Sequence, residues 1–91
     1  MSQQTADSSP LSFPCEFPVK VMGVNSDSFE QEIIMIARRH IPDLGEASVR
    51  SRPSSSGNYL SVTITFTAQS REQLDQLYLA INAHPGVRMV L

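Results

Sequence analysis

From Tyr59 to Ala68 the chain reads Tyr-Leu-Ser-Val-Thr-Ile-Thr-Phe-Thr-Ala, with apolar and polar residues alternating without a break. Leu60, Val62, Ile64, Phe66 and Ala68 occupy one parity; Tyr59, Ser61, Thr63, Thr65 and Thr67 occupy the other. Side chains alternate across a strand, so the pattern predicts one apolar face and one hydroxyl face. The β-branched content of the run supports the same assignment. Such a strand belongs in a sheet that is covered on one side and accessible on the other. The segment constrains the fold, but it names no reaction.

Ninety-one residues provide one modest core, not two. A formal net charge of −2 argues against wholesale nucleic-acid binding while leaving room for a local basic patch. Cys15 is the sole cysteine, so no intrachain disulfide forms and the core must supply the stability. That usage fits a reducing compartment. The N-terminus lacks the basic and apolar regions of a secretory leader, and no stretch approaches a membrane span. The expected location is the cytoplasm, with no membrane contact.

Residues 1–12 are rich in Gln, Ser, Thr, Asp and Pro, and are expected to form a disordered tail. Residues 13–91 are expected to form one domain. Cys15 to Val24 reads as a first strand, with Phe17, Val19 and Val21 on one parity against Pro18, Lys20 and Met22. Asp27 and Glu30 match a capping box, and Phe29, Ile33, Ile36, Ala37 and His40 trace a helical stripe that ends before Pro42. Glu46 to Pro53 reads as a weaker strand anchored by Val49, joined to the central strand through Ser54–Asn58. Ser70 and Gln73 form a second capping box, and Leu74, Leu77, Tyr78 and Ile81 give helical spacing to about Ala83. After His84, Pro85 and Gly86, Val87 to Leu91 supplies a last strand.

The order is βαββαβ. With right-handed crossovers, it predicts an α+β ferredoxin-like sandwich: a four-stranded antiparallel sheet with two helices on one face. The helices would cover Leu60, Val62, Ile64 and Phe66, leaving the hydroxyl face open.

Phe13-Pro14, Lys20-Val21-Met22-Gly23, Ser54 through Tyr59 with Ser61 and Thr63, and Val87-Arg88-Met89-Val90-Leu91 resemble the small bacterial YbeD-like family. The resemblance covers residues 13–91. It implies the fold of the regulatory ACT domains that bind amino acids in metabolic enzymes, in a family of unknown function. One stretch departs from the ACT pattern: the loop after the first strand is Gly23-Val24-Asn25-Ser26-Asp27, not the Asp-x-x-Gly type.

No catalytic, metal or cofactor motif stands out. His40 and His84 fall at the ends of the two helices, where a histidine favours the dipole. Cys15 has no base or ligand partner at useful spacing. Ser54-Ser55-Ser56-Gly57-Asn58 lacks the Lys-Ser/Thr ending and following helix of a phosphate loop. It reads first as a hairpin turn and second as a contact for a small anion through hydroxyls and amides.

The charges carry the functional expectation. By strand parity Lys20, Arg50, Arg52 and Arg88, four of the seven Lys and Arg residues, share the open face with Tyr59, Ser61 and Thr63. The helices hold Glu30, Glu32, Glu72 and Asp75, so an acidic chain carries a basic sheet face. An RNA-binding sheet would need stacked aromatics there, and only Tyr59 qualifies, which disfavours nucleic acid. The expected function is a non-enzymatic regulatory or interaction module. It would bind a protein partner or a small anionic ligand at Lys20, Met22, Arg50, Arg52, Ser54, Ser55, Gly57, Asn58, Tyr59, Ser61 and Arg88. Alternatives are an ACT-like homodimeric sensor of a small metabolite, or an accessory factor to a metabolic enzyme. A free sheet edge, or a face bearing Met22 and Val90, offers a route to self-association.

Overall fold

The computed structural model describes residues 12–91, so the expected tail lies outside the described residues except for Ser12. In chain order it contains β1 (Cys15–Val24), α1 (Phe29–His40), a 3-10 turn (Glu46–Ser48), β2 (Val49–Pro53), β3 (Tyr59–Ala68), α2 (Arg71–Asn82) and β4 (Val87–Val90). The strands form one antiparallel sheet in the order β2-β3-β1-β4, the ferredoxin-like arrangement predicted from the element order.

The alternation of β3 is realised side by side with that of β1. Their register places Val19 opposite Ile64 and Val21 opposite Val62. All four are fully buried beneath Phe29, Ile33 and Ala37 of α1 and Leu74, Leu77 and Ile81 of α2. Each helix turns an apolar stripe to the sheet, as its spacing requires. At Gly23 this core leaves no room for a side chain. A Cβ there would stand 2.3 Å from Cζ of Phe29 and 2.6 Å from the Gly86 carbonyl oxygen.

Two polar ties hold the helix layer together. Ser70 caps α2 through its Oγ, which accepts from the Gln73 N–H at 3.1 Å. The Gln73 amide then donates to the His40 carbonyl at 2.8 Å, joining the start of α2 to the end of α1. At the opposite end, Nε2 of His84 lies 2.6 Å from the Glu32 carboxylate. His84 Nδ1 accepts the Gly86 N–H at 2.9 Å, so the proton shared with Glu32 sits on Nε2. This ring therefore ties α1 to the α2–β4 loop, stacked edge-on against Phe29, in addition to following a helix end. The bond from His84, and a second from Ser28, hold the Glu32 carboxyl below its ordinary pKa.

Three local expectations are corrected. The capping box from Asp27 to Glu30 does not form: α1 starts after Ser28, and the Glu30 carboxylate is drawn across to the Ser51 hydroxyl of β2. Glu46–Ser48 is not strand, because the Ser48 N–H turns back to the Gly45 carbonyl at 3.1 Å instead of joining the ladder. The strand begins at the β-branched Val49.

The third correction is a bulge. Met22 pairs with Met89 but Gly23 pairs with Val87, which leaves Arg88 as an extra residue in β4. Past the bulge, Val90 faces Val21 and packs on the core, while Met89 shares the open face with Met22. Simple parity had assigned these two side chains the other way round. The Arg88 guanidinium donates to the Pro85 carbonyl at 3.0 Å, on its own loop.

Candidate functional site

The open face is assembled from even positions of β1, odd positions of β3 and the two arginines of β2. Thr63 lies between Lys20 on one side and Arg50 on the other, and Ser61 lies between Met22 and Arg52. Two adjacent rows of the sheet thus carry three exposed cations around two half-buried hydroxyl residues. Adjacent strands are about 4.8 Å apart, so Lys20 and Arg50 stand roughly 10 Å apart at their backbones, across Thr63. Their long side chains can reach a common anion.

Lys20, Arg50, Arg52, Ser61 and Thr63, with Ser51, line a concavity of about 480 Å3. Among the described residues the Arg–carboxylate pair is Arg71 with Asp75, 3.6 Å apart on α2, and Glu32 accepts its hydrogen bond from His84. Neither involves the sheet cations. Two planar guanidinium forks, an ammonium and hydroxyls are the donors that carboxylate and phosphate oxygens require.

A second, more apolar hollow of about 190 Å3 adjoins the first and is lined by Met22, Tyr59, Leu60 and Pro53. Arg52 and Ser61 line both. A separate cleft of about 320 Å3 sits at the far end of β3, where Glu16 and Asp43 join Thr65, Thr67, Gln69 and Gln73. It contains no Lys or Arg, and its carboxylates repel anions.

Of the remaining residues expected at the site, Ser54 lines the second hollow and the others fall elsewhere. Ser54, Ser55, Gly57 and Asn58 form the β2–β3 turn beyond the Tyr59 end of the face. Ser54 Oγ accepts the Tyr59 N–H at 3.1 Å, Ser56 Oγ accepts the Asn58 N–H at 3.3 Å, and Gly57 supplies φ +80. Asn25 clamps the turn to the β1–α1 loop by donating to the Gly57 carbonyl at 2.9 Å. The hydroxyls and amides of an anion cradle are thus largely occupied within the turn. Arg88 belongs to the bulge and lines neither hollow. Met89, 49% exposed on the open face, was missed because its parity depends on that bulge.

A family model described as "Protein of unknown function (DUF493)" matches residues 8–91. The chain belongs to the DUF493 family. A "UPF0250 protein" of Janthinobacterium sp. (strain Marseille) is 47% identical over 91 residues, covering 100% of both chains. Another, from Chromobacterium violaceum, is 49% identical over 79 residues, covering 87% of this chain and 89% of its own. The YbeD-like resemblance and these DUF493 relatives point to the same family of small bacterial proteins.

Solved structures agree on the fold. The solution structure of protein HP0495 from H. pylori superposes with a TM-score of 0.74 at 12% identity, covering 100% of this chain and 98% of that one. The ACT domain from GTP pyrophosphokinase of Chlorobium tepidum superposes with a TM-score of 0.63 at 12% identity, covering 84% of each chain. This DUF493 chain therefore has an ACT-like fold. No helix among the described residues is long and apolar enough to cross a membrane.

Proposed function

We propose that this DUF493 protein is a cytoplasmic regulatory or interaction module without a reaction of its own, which recruits an anionic ligand or acidic partner to its open sheet face. One observation carries the reading. Lys20, Arg50 and Arg52 stand on three adjacent strands around Ser61 and Thr63, with no carboxylate paired to them among the described residues. Unpaired cations that only the fold can bring together are poor contributors to stability and good contributors to recognition.

A titration with citrate and inorganic phosphate, followed by amide NMR, tests the proposal. Resonances of Lys20, Arg50 and Arg52 should move, and the triple substitution to Ala should abolish the shifts while leaving the fold intact. Shifts confined to other parts of the chain, or unchanged in the triple variant, would refute the assignment.

A second reading, a homodimeric sensor of a small metabolite, is favoured by the likeness to the ACT domain. Sedimentation velocity separates the two. A dimer whose population rises with a bound metabolite supports the sensor; a monomer that binds anions at this face supports the module.

A further inference from the structure

The cations and the exposed apolar side chains of the open face form two ends of one surface. Val24, Tyr59 and Met89 are 37, 44 and 49% exposed on it, and Met22 is half-buried among them. Val24 lies opposite Tyr59, and Met22 lies opposite both Ser61 and Met89, so the cluster is continuous over β3, β1 and β4. The next row along brings Lys20 and Arg50, and Arg52 borders both hollows.

We propose that the occupant of this face is an amphipathic helix of a protein partner. Its apolar stripe would lie on Met22, Tyr59 and Met89, and its acidic flank over Lys20, Arg50 and Arg52. The proposal rests on the reading of the face as an anion acceptor and adds what bears the anion.

Three physical considerations select this occupant. A sheet face with exposed apolar side chains is covered by a helix or by another sheet. A second copy of the same face would bring an identical set of cations with it, and like charges across an interface are unfavourable. A small molecule is held in a concavity that buries most of its surface. Here the hollows, about 480 and 190 Å3, open side by side on the sheet, and a small anion among the cations would leave the apolar cluster uncovered. An acidic amphipathic helix answers both ends at once.

The test uses the full chain and a labelled synthetic helix of about 18 residues, some 27 Å long. Its leucines follow i, i+3, i+4, i+7 spacing and glutamates flank one side of the stripe. One control peptide has the same composition in scrambled order, and a second has Lys in place of Glu. Anisotropy should show the acidic amphipathic peptide binding at least about tenfold more tightly than either control. Met22→Ser with Met89→Ser should weaken it about tenfold, as should Lys20→Ala with Arg52→Ala. The second pair should also remove the dependence on salt.

The citrate titration runs alongside. If citrate shifts the cationic residues while the acidic helix binds no better than its scrambled form, the helix occupant is refuted and the anion-accepting face stands. If neither citrate nor the acidic helix acts on the face, both readings fall. Equal binding of the Lys peptide would overturn the proposal, because the cations would then play no part.

Discussion

Ile64→Ala tests the two-sided character of the sheet directly. Ile64 is fully buried, paired with Val19 on β1 and Val49 on β2. The substitution removes three carbons, worth about 2.4 kcal/mol at about 0.8 kcal/mol each. A residual cavity of about 50 Å3 would add about 1.2 kcal/mol, at about 24 cal/mol per Å3. The expected loss is therefore about 3–4 kcal/mol. Thr63→Ala, one residue away on the open face, loses only some strand preference and should cost about 1 kcal/mol or less. Urea unfolding at unchanged slope measures both. Equal losses at the two positions would refute the open face, since Thr63 would then be as covered as Ile64. Repeating the pair at several protein concentrations shows whether a second copy supplies the cover, because association makes stability concentration-dependent.

Gly23→Ala should lower the melting temperature clearly, at a cost of about 1–3 kcal/mol, because the Gly86 carbonyl 2.6 Å from the new Cβ is backbone and cannot swing aside. Gly45→Ala, with nothing within 4 Å, should leave the melt almost unchanged; the reverse ranking in a thermal scan would contradict the packing. Glu32 has a folded pKa below its ordinary 4.5, so its contribution to stability is present above that pH and is lost as pH falls through the folded value. Glu32→Gln should therefore flatten the acid limb of a plot of urea midpoint against pH, and an unaltered limb would count against the His84 bond. A chain starting at residue 12 should melt within a degree or so of the full chain, since the polar composition of residues 1–11 offers little to a core.

What was legible in the sequence was what many residues repeat. The alternation of β3 names its own buried parity several times over, and Val62 and Ile64 are fully buried as it requires. Ser70 and Gln73 likewise announce a cap that needs only its own turn of chain. Features decided by distant neighbours were not legible. β4 runs only from Val87 to Val90, too short to define its own phase. Its bulge follows from contacts on both sides: the Val24 N–H reaches the Gly86 carbonyl at 3.0 Å, and the Leu91 N–H reaches the Lys20 carbonyl at 2.8 Å. Those two bonds span one more residue of β4 than of β1, and Arg88 absorbs the difference. The same long-range logic took Glu30 from its expected cap to Ser51. Within the face, parity brought Lys20, Arg50 and Arg52 together because Lys20 alternates with the buried Val19 and Val21, while Val49, packed against the core, sets the phase of β2 for both arginines.

The two ties between the helices have a mechanical consequence. Gln73 fastens the end of α1 to the start of α2, and His84 fastens the first turns of α1 to the loop that follows α2. Two rods braced at both ends cannot shear past one another without breaking a brace. A load applied to the opposite side of the sheet therefore meets a braced layer, in which sliding of the helices would break the Gln73–His40 or the His84–Glu32 hydrogen bond. Under the proposed reading of the cationic face, the signal would be the presence of what docks there, not a displacement of the helices behind it.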